Sequence, residues 1–202
     1  EIKYDFIYNL MNGTSQLGVC NLTTRDYNLV TVPSKWFTGE MDWCLLPHRT
    51  LFICGGTQDI RTSVVTIDTL RDFVVSARPP MMVDRKLHKS AYFRGYVYVV
   101  GGWANSYENW QHIAQCERFN LTSNFWELLP PIPLPCYKLS LMQASGNLYA
   151  IGGFHDAQSD AIQKLDLKTL TWEVMNVKLQ KAGGSIPCFK LYDSSQTIYI
   201  VQ

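Results

Sequence analysis

Long apolar runs are missing from this sequence, and so is any excess of one charge. No hydrophobic stretch approaches the ~20 residues that a membrane-spanning helix needs. With 18 Lys+Arg against 17 Asp+Glu the net charge is +1, so there is no basic stripe on which nonspecific nucleic-acid binding could rest. The chain opens Glu1-Ile2-Lys3-Tyr4, without an initiator Met or a charged-then-apolar leader, so no targeting segment is visible unless one has been cut away. The six cysteines, at 20, 44, 54, 116, 136 and 188, include no C-x-x-C and no paired-His spacing. They argue against a zinc site and read as small buried hydrophobes in a reducing compartment, which points to a cytoplasmic location. Neither a G-x-G-x-x-G nor a Ser-His-Asp or paired-carboxylate motif is present. The four histidines, 48, 88, 112 and 155, are dispersed. His112 and His155 each follow a diglycine and could share one face, but two histidines alone do not make a metal site, and neither metal nor cofactor is expected.

What the sequence does contain is one unit written several times. Residues 85–131 show its parts: an alternating run ending Val97-Tyr98-Val99-Val100, then Gly101-Gly102, an aromatic loop, a run to Phe119, an Asn-Leu-Thr-Ser-Asn turn, and Trp126 before Pro130-Pro131. Four short β-type runs separated by turn signals make one small antiparallel sheet. Phe52-Ile53-Cys54-Gly55-Gly56, Tyr98-Val99-Val100-Gly101-Gly102 and Tyr149-Ala150-Ile151-Gly152-Gly153 align without gaps, their first glycines 46 and then 51 residues apart. Asn21, Asp68, Asn120 and Asp166 form a turn column. Tyr27, Trp126 and Trp172 follow six residues later, with Phe73 one place early. A composition of 47% hydrophobic, 13% aromatic and 17% charged residues suits an all-β globular chain.

A period near 50 with a diglycine and a following aromatic is the signature of a propeller repeat. The segments 85–102 (RKLHKSAYFRGYVYVVGG) and 119–133 (FNLTSNFWELLPPIP) closely resemble kelch repeats, and the resemblance spans almost the whole chain. It implies a kelch-type β-propeller of four-stranded antiparallel blades, divided as 1–32 (partial), 33–80, 81–133, 134–178 and 179–202 (partial). About four blades are covered, and the ring that such repeats build commonly has five to seven, so the chain is expected to be part of a longer one. The first copy carries Ile7-Tyr8 where the diglycine is expected. The arginine that often follows the interblade proline occurs only as Arg85, with Cys136 in its place in the next copy.

Each conspicuous residue has a plain structural reading. Gly55, Gly56, Gly101, Gly102, Gly152 and Gly153 at strand ends are backbone requirements that let adjacent blades approach. The repeated Asn and Asp residues cap turns, and on that reading the N-x-S/T sequons at Asn12, Asn21 and Asn120 arise by coincidence. Trp126 and Trp172 pack between blades. For function, the resemblance implies a loop face that takes a protein or peptide partner. The post-diglycine loops are Thr57–Ser63, Trp103–Gln115 and Phe154–Ala161, with Trp103, Tyr107, Trp110, His112, Phe154, His155, Arg61 and Arg85 as candidate contacts. The expected role is a noncatalytic adaptor or scaffold, as in ubiquitin-ligase substrate recognition or cytoskeletal and ciliary assembly. The alternative is an enzyme resembling the galactose-oxidase-type copper oxidases, whose two Tyr, two His and crosslinked Cys do not fall on matching positions here.

Overall fold

The structure, a computed structural model, describes residues 6–10, 16–32, 38–57, 61–106, 109–190 and 198–201. The described chain is all β apart from a single 3-10 turn at Pro47–Arg49. Strands β1 (Phe6–Leu10), β2 (Gln16–Asn21) and β3 (Tyr27–Thr31) form a three-stranded antiparallel sheet. A four-stranded meander follows in β4 (Asp42–Leu46), β5 (Thr50–Cys54), β6 (Val64–Asp68) and β7 (Val74–Arg78). In the next blade β8 (Lys89–Phe93) and β9 (Tyr96–Val100) are separated from β12 (Cys116–Asn120) and β13 (Phe125–Leu129) by a two-stranded ribbon, β10 (Trp103–Ser106) and β11 (Asn109–His112). The fourth sheet is β14 (Ser140–Ala144), β15 (Asn147–Ile151), β16 (Ala161–Asp166) and β17 (Thr171–Lys178), and β18 (Cys188–Lys190) pairs with β19 (Ile198–Ile200).

Period-two alternation explains how the sheets stack, because successive side chains on a strand point to opposite faces. On β5, Leu51 and Ile53 join a core shared with Tyr8, Leu17 and Val19, while Phe52 and Cys54 turn to the other side and meet Val97, Val99, Phe119 and Trp126. On β9 the same division sends Val97 and Val99 one way and Tyr98 and Val100 the other, toward Leu139, Leu148 and Leu165. Each four-stranded sheet is therefore apolar on both faces, which is why an isolated blade could not be stable. The first strands pack side by side, β4 against β8, β8 against β14 and β14 against β18.

The diglycines sit where sheets come closest. Gly101 and Gly102 have φ of +66° and +111°, in the region that favours glycine. A Cβ on Gly101 would collide with the Cys136 carbonyl oxygen and the Leu139 side chain of the next blade. The second glycine also donates its N–H across the junction, Gly56 to Arg85 O (3.2 Å), Gly102 to Cys136 O (2.9 Å) and Gly153 to Gly183 O (2.8 Å).

Two sequence expectations are corrected by strand register. Phe6 pairs with Asn21 as Tyr96 pairs with Asn120. Ile7 and Tyr8 therefore lie inside β1, with Tyr8 matching Tyr98, and are not the diglycine position; that column falls at Met11-Asn12, outside the described residues, as does the Asn12-Gly13 turn. In the second blade Ile67 pairs with Val75 where Phe119 pairs with Trp126 and Leu165 with Trp172. The turn there is one residue longer, so Val75 holds the strand position. Phe73 sits in the turn at φ +56°, its ring packed against the first core.

Candidate functional site

The junction of the third and fourth blades gathers the aromatic residues of the loop face. The chain approaching the third blade pairs with the residue after the diglycine, Lys86 N–H donating to Trp103 O (3.0 Å) and Trp103 N–H to Lys86 O (2.8 Å). The fourth blade repeats the arrangement between Tyr137 and Phe154 (3.0 and 2.9 Å). These equivalent bridges set the side chains in a row. Trp103 stacks on Tyr137 with ring centroids 4.9 Å apart, and Tyr137 stacks on Phe154 at 5.5 Å. Lys86 lies over Trp103 at 5.6 Å and Lys138 over Phe154 at 6.0 Å, so a cation stands at each end.

His112 flanks the row because the β10–β11 ribbon pairs it with Trp103. Its ring stacks on Tyr137 at 5.6 Å and meets His155 at 4.5 Å. Burial, reinforced by His155, lowers the His112 pKa and favours the neutral imidazole. His155 lies 3.7 Å from the Asp156 carboxylate, and both are exposed. The segment Trp103–Gln115, expected to be a loop, is thus partly a β ribbon. Tyr107 lies outside the described residues, as does the side chain of Trp110.

The structure brings together Trp103, His112, Phe154 and His155. It does not bring in Arg61, which pairs with Asp84 at 3.6 Å. Arg85 is a correction. It is 0% exposed, so it offers a partner nothing. Its guanidinium donates to Gly101 O (2.8 Å), Gln115 O (3.0 Å) and Glu117 Oε1 (2.9 Å), because a buried cation must find acceptors. Glu117, equally buried, accepts a second bond from Met82 N–H at 2.8 Å. Its burial pushes the carboxyl above the usual range, opposed by Arg85 and that N–H.

Two residues of this region were missed. Tyr137 follows Cys136 as Lys86 follows Arg85, so the column beside the interblade position marks it. Glu117 carried no local signal, because it stands beside Arg118 in the half-polar stretch Gln115-Cys116-Glu117-Arg118. In the next blade its place is taken by Gln163, whose Oε1 accepts Leu134 N–H (2.8 Å) and whose Nε2 donates to Leu134 O (2.9 Å). Where Arg85 gives way to Cys136, Glu117 gives way to the neutral Gln163.

The remaining repeat residues hold backbone. Asn120 Oδ1 accepts Thr122 and Ser123 N–H (2.9 and 3.1 Å), and Asp166 Oδ1 accepts those of Lys168 and Thr169 (2.7 and 2.9 Å). Asn21 does the same for Thr23 and Thr24, and Asp68 for Leu70. Trp126 donates to Pro79 O (2.9 Å) and Trp172 to Pro130 O (3.0 Å), each fastening the segment that precedes its own blade. Tyr27 is exposed, its ring lying across Gly18. Burial pushes the Cys116 and Cys136 thiols up to about 11 and about 12, leaving them protonated and unreactive at neutral pH.

Comparison with known proteins agrees with the repeat. The Kelch motif family model matches residues 84–133. Mouse Kelch-like protein 35 is 26% identical over 166 residues, covering 80% of this chain and 27% of that protein. Human Kelch repeat and BTB domain-containing protein 12 is 30% identical over 108 residues, 48% of this chain and 17% of that protein. The chain thus spans about a quarter or less of the length of these two relatives. Among solved structures, that of YjhT has a TM-score of 0.64 at 16% identity, covering 74% of this chain and 54% of its own, a likeness of fold alone. The repeat columns, the four-stranded sheets and these relatives agree with one another: residues 84–133 match the Kelch motif, and the chain is similar to kelch-repeat proteins over most of its length.

Proposed function

We propose that this chain is a noncatalytic protein-interaction module whose docking surface is the aromatic row Trp103, Tyr137 and Phe154, flanked by His112 and bounded by Lys86 and Lys138. The observation that carries the reading is the stacking itself. Side chains of two blades, partly exposed, are held rigid by backbone bridges, and rigid aromatic side chains dominate interface energetics at low entropic cost. Lys86 is already paired with Glu40 (2.8 Å), so the exposed Lys138 at the other end of the row is the charge that favours a segment carrying an acidic residue beside an apolar or aromatic centre. The BTB domain in the name of one relative supports an adaptor role, in which this surface would select what a neighbouring domain acts upon. Recognition for ubiquitin ligation, cytoskeletal or ciliary assembly, and cytoplasmic location remain within this proposal. Among the described residues no helix is long and apolar enough to cross a membrane.

The copper-oxidase alternative gains two histidines and a tyrosine in proximity but lacks the thiol it needs beside the ring. Cys136, the chain neighbour of Tyr137, turns into the apolar core. The test is selection from a random peptide display library on the purified protein. Enriched peptides should share an acidic–aromatic pattern and lose at least tenfold in affinity with Trp103→Ala and Tyr137→Ala. Enrichment indifferent to both substitutions would refute this surface. Peroxide release from copper-loaded protein given primary alcohols would restore the enzyme.

A further inference from the structure

Beside the aromatic row, and sharing its flanking His112, the loop face holds a set of ligating atoms. His112 Nδ1 or Nε2, the corresponding nitrogen of His155 and a carboxylate oxygen of Asp156 all lie within 4.8 Å of one another. They come from different blades, His112 from the end of β11 and the other two from the loop that follows β15. Both supports are fixed. The ribbon pairs His112 with Trp103, and its ring is seated on Tyr137. The loop is closed by Ser159 N–H donating to Gly153 O (2.9 Å), His155 N–H to Ala157 O (3.0 Å) and the Phe154–Tyr137 bridge.

We propose that His112, His155 and Asp156 form a binding site for a divalent transition-metal ion, with zinc as the reference ion, joining the third and fourth blades on the loop face. Zinc binds imidazole nitrogen and carboxylate oxygen at about 2.0–2.2 Å, which sets tetrahedral ligand atoms roughly 3.4 Å apart. The gap from 4.8 Å is within the swing of two exposed side chains, His155 and Asp156, about their χ torsions while His112 stays on its stack. Two imidazoles and one carboxylate suit zinc and its first-row neighbours, and do not suit calcium or magnesium, which take oxygen ligands. Three protein ligands leave a fourth position for water or for a ligating side chain from outside. The site stands on its own geometry and does not depend on a docked peptide.

The test is calorimetric titration of the metal-free protein with zinc chloride, repeated for His155→Ala, Asp156→Asn and His112→Gln. One ion per chain is expected, with each substitution weakening binding at least as much as the ~10–100-fold that loss of an outer-shell partner costs. His155 and Asp156 are exposed, so their variants should melt like the parent without metal, and only the parent should gain melting temperature on adding zinc. Cobalt substitution supplies a second readout, a visible spectrum without thiolate charge transfer. Absence of zinc binding below millimolar concentration would overturn the site. So would parental affinity and stoichiometry in the His155→Ala/Asp156→Asn double variant, or a thiolate band in the cobalt spectrum.

Discussion

Substituting Arg85 by Cys should destabilise the third blade severely, and substituting Glu117 by Gln in the same chain should restore part of the loss. Both side chains are 0% exposed and joined at 2.9 Å. Removing the arginine strands a buried carboxylate with only the backbone N–H groups of Met82 and Val83 to oppose its burial, and also frees the Gly101 and Gln115 carbonyls. Breaking a buried pair from one side costs about 3–5 kcal/mol. The fourth blade shows the neutral solution in place, Cys136 with Gln163, the glutamine amide both donating to and accepting from Leu134. Val83 stands where Leu134 does in the next blade, and a Gln at 117 would meet its backbone in the same way. The double variant should therefore be more stable than the sum of the single losses implies, by roughly 1–3 kcal/mol of coupling. The two lost carbonyl bonds keep the restoration incomplete, and Arg85 Nε, which has no hydrogen-bond partner among the described residues, leaves the native pair imperfect. Urea unfolding followed by tryptophan fluorescence on parent, singles and double measures the cycle. A double variant as destabilised as the summed singles would refute the idea that charge pairing, and not side-chain shape, holds this position.

Trp126→Ala should cost about 3–5 kcal/mol, since the ring is buried against Phe52 and Phe119, and Trp172→Ala less, its indole being only partly covered; equal shifts in thermal melting would contradict this. Gly101→Ala should lower soluble yield and melting temperature because its Cβ meets the Cys136 carbonyl. Gly39→Ala, whose added Cβ would meet nothing among the described residues and whose φ is not positive, should be nearly silent, and matching melts would count against the close-approach role. His88 is buried, and desolvation, followed by Arg85 and Lys89, lowers its pKa well below the ordinary 6.5. The unfolded chain takes up a proton near that value and the folded chain refuses it. The stability His88 supports is therefore complete above pH 6.5 and declines as pH falls toward its folded pKa, by at most about 1.4 kcal/mol per unit. Glu117, raised from 4.5, works in the opposite sense: its contribution is full below that pH and is lost as pH rises through its folded pKa. Comparing melts at pH 7.5 and 5.5 for parent and His88→Gln isolates the histidine, and an unchanged gap would show that His88 does not titrate in this way.

The repeat was legible in the sequence because each of its parts obeys a local rule. Near-continuous apolar runs on β5, β9 and β15 specify strands apolar on both faces, diglycines mark positive φ, and Asn120 or Asp166 satisfies turn amides within three residues of itself. Such features need no knowledge of what lies across the fold. The aromatic candidates Trp103, His112, Phe154 and His155 were found for the same reason, as residues following a diglycine. Tertiary structure decided what depends on distant partners. Arg85 and an exposed arginine look alike in sequence; only the placement of Glu117, 32 residues on, makes the former a buried structural cation. Ile7-Tyr8 and Phe73 were misplaced because one residue more or less in a turn shifts a column, and cross-strand hydrogen bonding alone fixes that register. Tyr137 joined the site, and Asp156 joined two histidines, through the stacking of one blade on another. That juxtaposition depends on the angle and distance at which the sheets pack, a property of their shared apolar faces as a whole and of no single stretch of chain.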